Sequence, residues 1–64
     1  MNNIQTTTQV ICVKSEYGVR ENKVYTQIDR YEVYPGYWVR TIINNQGMKQ
    51  NYEDHYFKDV EETN

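Results

Sequence analysis

One tight turn constrains this chain more than any other feature of its sequence. Pro35 fixes φ at about −65° at the second position of the turn, and Gly36 supplies the positive φ that a type II turn requires next. The following residues, Tyr37–Ile43, are mostly aromatic or β-branched, which favours a strand. The asparagines and glycine of residues 44–47 tolerate a tight hairpin loop, and residues 48–52 form the returning strand. The sequence therefore predicts a hairpin at the centre of the fold.

Side chains alternate between the two faces of the central strand. One face carries Tyr37, Val39, Thr41 and Ile43, and the other carries Trp38, Arg40 and Ile42. The first face is the more uniformly apolar, so we expect it to face the core and to leave Trp38 and Arg40 exposed. An exposed tryptophan beside an arginine is typical of a binding hot spot. Alternatively, Trp38 covers the open edge of a small core, with Arg40 over its ring in a cation–π contact.

The N-terminal half of the chain predicts two further strands. Residues 9–14 form a short apolar run that suits a first strand buried on both sides, and residues 15–22 form a loop around Gly18. Residues 23–33 alternate with a period of two, which predicts a second strand with one solvent-exposed side. One face of that strand carries Val24, Thr26 and Ile28, and the other carries Tyr25, Gln27 and Asp29. The alternation shifts near residues 29–31, which predicts a bulge.

The C-terminal part predicts one helical turn followed by one strand. Acidic residues favour the first turn of a helix, so residues 53–55 form the turn and residues 56–60 the last strand. The chain contains no leucine or alanine, the strongest helix formers, and it has seven tyrosines. The expected fold is therefore all-β, with five short strands and one helical turn. A chain of 64 residues has room for one domain, which we expect at residues 9–61, with a flexible segment at 1–8 and a frayed end at 62–64.

Composition limits the chemistry and the compartment that we expect. The single cysteine, Cys12, cannot form an internal disulfide and lies in an apolar run, which suits a buried thiol in a reducing compartment. Cys12 and His55 fall short of the roughly four ligands of a metal site. No run reaches the about 18 apolar residues of a membrane span, and the N-terminus lacks the order of a signal peptide. We expect a cytoplasmic protein without metal or cofactor.

The order of these elements resembles the SH3-like small β-barrel over residues 10–61. The segment 15–22 corresponds to the start of the long RT loop of that family, and Tyr37–Trp38 to the aromatic pair that opens its third strand. Gly47 is similar to the distal hairpin glycine, and His55–Tyr56–Phe57 to the step that closes its helical turn. The resemblance implies a five-stranded SH3-like barrel.

Two departures bear on the ligand that the resemblance implies. Residues 11–16 lack the tyrosines with which SH3 domains grip polyproline helices, and Glu53 replaces a proline of their groove. Pro-rich recognition is therefore not favoured. In style the chain looks like the short SH3-like proteins encoded by bacterial viruses and prophages, many of which are uncharacterised or act by binding host proteins.

We expect a non-enzymatic binding protein, and three kinds of partner remain open. Gly18, Gly36 and Gly47 lie in separate turns and form no phosphate-binding loop, and His55 has acidic neighbours on an exposed turn. The candidate protein-binding residues are Glu16, Tyr17, Tyr37, Trp38, Arg40 and Tyr56, with Glu21 at the rim.

The first alternative partner is nucleic acid, with bases stacked on the aromatic residues. Its phosphates would meet Arg20, Lys23, Arg30, Arg40 and Lys49. The second alternative is self-association through an edge strand, the first or the last in the sequence. The net charge of −2 favours a protein partner, although residues 1–52 alone are mildly basic and residues 53–64 acidic. A further interpretation is that all these aromatic residues only form the core and its cover.

Overall fold

In the computed structural model, the described part of the chain is residues 8–60. It contains five strands and one 3-10 turn: β1 (Thr8–Cys12), β2 (Val24–Tyr34), β3 (Tyr37–Ile43), β4 (Lys49–Glu53), the turn η1 (Asp54–Tyr56) and β5 (Phe57–Asp59). The all-β prediction is confirmed, and the predicted turn and last strand begin one residue later than expected. The segments predicted as flexible, 1–8 and 62–64, lie outside the described residues except for Thr8, which begins β1.

All strands pair antiparallel in one sheet, in the order β4-β3-β2-β1-β5. Within residues 8–60 no pairing joins β4 to β5, so the sheet is open at that seam and η1 spans it. Strand β1 lies inside the sheet, between β2 and β5, so the expectation that the first strand is a free edge is wrong. Among the described residues, the strands at the two edges of the sheet are β4 and β5, so the last strand in the sequence does lie at an edge, as expected.

Strand β2 is the longest element, with eleven residues, and it changes register twice. Gln27 pairs with Ile42 but Asp29 pairs with Thr41, which leaves Ile28 as an extra residue. A second shift lies between Glu32 and Tyr34. The two bulges flank residues 29–31, where the sequence predicted one, and each increases the local bend of the strand.

The core lies on the inner face of the sheet. Its buried members are Val10, Cys12, Val19, Tyr25, Ile42, Tyr52 and Phe57. Tyr25 and Tyr52 both meet Phe57 edge to face, with ring centroids 6.2 and 5.5 Å apart, the arrangement that aromatic rings prefer. With no leucine available, tyrosines fill the core of this chain and keep their hydroxyls for hydrogen bonds at its edge.

The predicted inner face of β3 is wrong. Ile42 is fully buried and Arg40 is only 6% exposed, so the face that carries them is the inner one. Val39, on the opposite face, is also buried. On β2 the inner residues are Tyr25 and Gln27, whereas Val24 is exposed. The inner face of β3 was predicted from its number of apolar residues. That count failed because an arginine whose charge and hydrogen bonds are satisfied by partners can also be buried.

The first loop, residues 13–23, folds back over the open end of the core. Val19 of this loop is buried in the core, and a backbone bridge pairs it with Glu16. The Tyr25 hydroxyl accepts a hydrogen bond from the Arg20 N–H at 2.8 Å and donates to Asn45 Oδ1 at 3.1 Å. The first loop is therefore fixed to the β3–β4 loop.

Candidate functional site

An ion-pair network holds the 3-10 turn against strands β2 and β3. Asp54 Oδ1 lies 2.8 Å from Arg30 Nε and 2.8 Å from Arg40 Nε. Arg40 Nη1 also reaches Asp59 Oδ1 at 3.2 Å and Gln27 Oε1 at 3.1 Å. A hydrogen bond from the Arg30 guanidinium, reinforced by the charge of Arg40, lowers the pKa of the Asp54 carboxyl. Since the turn has no side-chain cap, this network is what positions it.

Arg40 belongs to that network and not to the surface. Its side chain is 7% exposed, so the expectation that it lies outside beside Trp38 is wrong. The arginine over the tryptophan is Arg30, whose guanidinium carbon lies 4.5 Å from the ring centroid. Trp38 itself is half-buried, with one face covered in this way. The cation–π interpretation was right about the contact and wrong about the residue.

Glu53 links the two ends of the predicted site. Its Oε2 accepts from the Tyr37 hydroxyl at 3.4 Å, and its Oε1 lies 2.7 Å from His55 Nε2. Loss of solvent around the phenol, together with the carboxylate of Glu53, raises the pKa of Tyr37. The Tyr37 ring also stacks on Tyr34, with centroids 5.0 Å apart. Because Glu53 ends β4 opposite Val39, the strand register places it there.

Tyr17 and Tyr56 lie on the other side of Glu53. Tyr17 is 69% exposed, and its backbone is held by the Tyr52 hydroxyl, which donates to the Tyr17 carbonyl at 2.7 Å. Tyr56 is half-buried, with the Lys14 ammonium 5.4 Å from its ring centroid. Tyr17 is thus an exposed ring on a well-anchored backbone, which reduces the entropy cost of a contact.

Two shallow grooves run side by side across this surface, and Glu53 lines both. The first, about 200 Å³, is lined by Glu16, Tyr17, Gln50, Asn51, Tyr52, Glu53 and Tyr56. The second, about 160 Å³, is lined by Gly36, Tyr37, Trp38, Glu53, Asp54 and His55. We define the aromatic–acid surface as the six residues Glu16, Tyr17, Tyr37, Trp38, Glu53 and Tyr56. Five of the six predicted site residues lie on or beside these grooves, and Arg40 does not.

The basic residues do not gather on the aromatic–acid surface. Arg30, which lies over Trp38, and the buried Arg40 are both paired with carboxylates. Lys14, in the first loop, reaches the Tyr56 ring. The remaining basic residues lie elsewhere in that loop or on separate strands: Arg20, Lys23, Lys49 and Lys58. A backbone-phosphate track needs unpaired positive charge along one face.

Three residues that shape the site were not among the candidate protein-binding residues, although Arg30 was named as a phosphate contact and Glu53 as a groove position. Arg30 and Asp54 carry the network, and Glu53 joins the grooves. A signal for Glu53 did exist, because it falls where the resembling family has a groove proline. Arg30 and Asp54 are 24 residues apart and gave none.

A larger open groove, lined by Ile11, Val24, Lys58, Asp59 and Val60, lies away from these residues. Within residues 8–60 no group of three or more His, Cys, Asp or Glu side chains is placed to hold a metal ion. The described chain also has no helix long and apolar enough to cross a membrane. Comparison with protein-family models, curated proteins and solved structures gave no match.

Proposed function

We propose that this chain is an SH3-like small barrel that serves as a non-enzymatic protein-binding domain. The strand order, the bent β2, the folded first loop and the 3-10 turn between the seam strands β4 and β5 support the SH3-like architecture. The aromatic–acid surface is its binding face. Its resemblance to short proteins of bacterial viruses makes a host protein the expected partner.

The observation that carries the proposal is that two neighbouring grooves are both lined by the exposed carboxylate of Glu53. Tyr17, Tyr56 and Tyr37 offer ring faces, while Glu53 and Glu16 offer negative charge between them. Rings of this kind supply contact area at low entropy cost, and the carboxylates attract a lysine or arginine. The surface therefore suits a segment of a partner protein that presents a basic side chain between apolar ones.

Two features of the chain support a binding role over the alternatives. Cys12 is fully buried, and His55 is an exposed side chain hydrogen-bonded to Glu53, so neither sits in the water-excluding cleft that nucleophilic catalysis uses. The cation over Trp38, Arg30, is already paired with Asp54, and the buried Arg40 is paired with Asp54 and Asp59, which argues against a phosphate track.

The test is selection of random peptides on the full chain, followed by affinity measurement with variants. We expect enriched peptides to contain a basic residue flanked by apolar ones. Tyr17→Ala and Glu53→Gln are each expected to weaken their binding roughly tenfold or more. Met48→Ala is the control, because Met48 is 62% exposed in the β3–β4 loop and lines neither groove.

Three results would contradict the proposal. One is the absence of any enriched peptide. A second is equal loss of binding in Met48→Ala and in the two site variants. The third is tight binding of a single-stranded oligonucleotide that weakens steeply with salt, which would assign the surface to nucleic acid.

A further inference from the structure

The outer edge of β4 offers a second interaction surface, which shares Glu53 with the aromatic–acid surface but does not depend on the proposed function. Strand β4 ends the sheet on one side, and its neighbour on the other side is β3. The side chains of Lys49, Asn51 and Glu53 are all exposed. An edge strand presents a row of backbone N–H and C=O groups that another strand can pair with.

The strand register tells which backbone groups point outward. The Asn44 N–H donates to the Met48 carbonyl at 2.9 Å, so hydrogen-bonded pairs recur at every second residue from there. The pairs Ile42–Gln50 and Arg40–Tyr52 are then the bonded ones. The N–H and C=O groups of residues 49 and 51 and the N–H of residue 53 therefore point away from β3 towards the open edge. The Glu53 carbonyl, at the N-cap of η1, accepts the first hydrogen bond of the turn.

We propose that a second copy of this chain pairs with β4 through this edge, antiparallel and about a two-fold axis at Asn51. In this register Asn51 lies opposite Asn51 of the second copy, and Lys49 lies opposite its Glu53. The Asn51–Asn51 pair then supplies two backbone hydrogen bonds. Each of the two Lys49–Glu53 pairs supplies one, from the Glu53 N–H to the Lys49 carbonyl, which gives about four across the axis. The Lys49–Glu53 ion pair forms twice, because the interface is isologous.

Charge complementarity favours the β4 edge over the β5 edge. An antiparallel pairing of β5 centred on either of its charged residues places Lys58 opposite Lys58, or Asp59 opposite Asp59, and like charges directly opposite are destabilising. Strand β5 also has only three residues, against five in β4. The Glu53 carboxylate contacts His55 and Tyr37 in its own chain, and its remaining lone pairs are available to Lys49 of the second copy.

Sedimentation velocity of the full chain over a concentration series tests the proposal. The wild type is expected to form a dimer as concentration rises. Lys49→Glu and Glu53→Lys should each raise the dimer dissociation constant roughly tenfold or more, since each turns two attractive pairs into repulsive ones. The double variant should restore dimerisation, and the matched control Lys58→Glu on the other edge should leave it unchanged.

Amide hydrogen exchange of the wild type keeps the test decisive if Glu53→Lys, which also loses its own-chain contacts, does not fold. The amides of Asn51 and Glu53 should exchange more slowly as the dimer forms, whereas those of Gln50 and Tyr52, already bonded to β3, should not change. The proposal is overturned by a chain that stays monomeric throughout, by a folded double variant that fails to dimerise, or by loss of the dimer in Lys58→Glu. Loss of peptide binding alone leaves all of these readouts intact.

Discussion

Arg40 on β3 and Asp54 at the start of the 3-10 turn are joined at 2.8 Å, and this contact sets where the turn lies against the sheet. The arginine side chain is 7% exposed and the aspartate 30%. A buried charge without a partner is costly, so each residue restricts where the other can be. The groove residues that follow Asp54, His55 and Tyr56, are positioned as a consequence.

Loss of the Arg40 charge should destabilise the domain more than loss of Arg30. Arg40→Met leaves the buried Gln27 amide oxygen without its partner and takes one partner each from Asp54 and Asp59, and we expect a cost of roughly 2 kcal/mol. Arg30→Met removes the more exposed partner of the same carboxylate, at 40% exposure, and should cost about 1 kcal/mol or less. Urea denaturation measures the loss of unfolding free energy in each variant. Equal losses would contradict the expectation that the buried arginine stabilises the domain more than the exposed one.

The stability of the domain should fall in acid because of Asp54. Its pKa is lowered in the folded state by the hydrogen bond from Arg30 and by Arg40, so its contribution is present above the unfolded pKa, about 3.9, and is lost as pH falls through the folded value. Unfolding free energy against pH should therefore drop below about pH 4, and Asp54→Asn should flatten that drop. If the unfolding free energy of Asp54→Asn fell with pH as steeply as that of the wild type, Asp54 would not be the cause of the acid sensitivity.

Alanine substitution should lower stability by different amounts at two glycines that both have a positive φ. Gly18 and Gly36 have φ of +82° and +89°, so alanine strains both, by roughly 1–2 kcal/mol. At Gly18 an added Cβ would also lie 2.8 Å from the Tyr52 hydroxyl oxygen and 2.9 Å from Asn44 Nδ2, whereas at Gly36 nothing lies within 4 Å. We expect Gly18→Ala to lower the melting temperature clearly more than Gly36→Ala. Equal shifts would mean that the first loop moves aside freely.

The thiol of Cys12 should be inert in the folded protein. The residue is fully buried, and desolvation raises the pKa of its thiol. Its reaction with a disulfide reagent at neutral pH should therefore follow opening of the structure and speed up in step with added urea. Fast labelling of the native chain would contradict the core placement of β1.

Local sequence preferences predicted the strands and turns of this fold better than they predicted which face of each strand lies against the core. The turn at Pro35 and Gly36 and the strand Tyr37–Ile43 follow from backbone preferences of the residues themselves, and the sequence located them correctly. The inner face of β3 depends on partners far along the chain. Arg40 is stable inside because Asp54 and Asp59 reach it, and neither contact has a local signature.

In the candidate site, too, the features with a local signal in the sequence were predicted and those that depend on distant residues were not. Tyr17, Tyr37 and Tyr56 were predicted because exposed aromatic residues in loops and at strand ends mark interaction surfaces. Arg30, and not the predicted Arg40, lies over Trp38. The bulge at Ile28 shifts the pairing of β2 with β3 by one residue, and this shift puts Arg30 on the same face of the sheet as Trp38. The alternation predicted a bulge near residues 29–31, but it did not place the extra residue at Ile28, and that position decides which side chains pair.

The most direct test of the proposed function is an NMR titration of the full chain with a selected peptide. We predict that the largest amide shifts fall on Glu16, Tyr17, Glu53 and Tyr56, and that the indole N–H of Trp38 shifts with them. Shifts that gather instead on the groove of Ile11, Val24 and Val60, with the Trp38 indole unmoved, would contradict the claim that the aromatic–acid surface is the binding face.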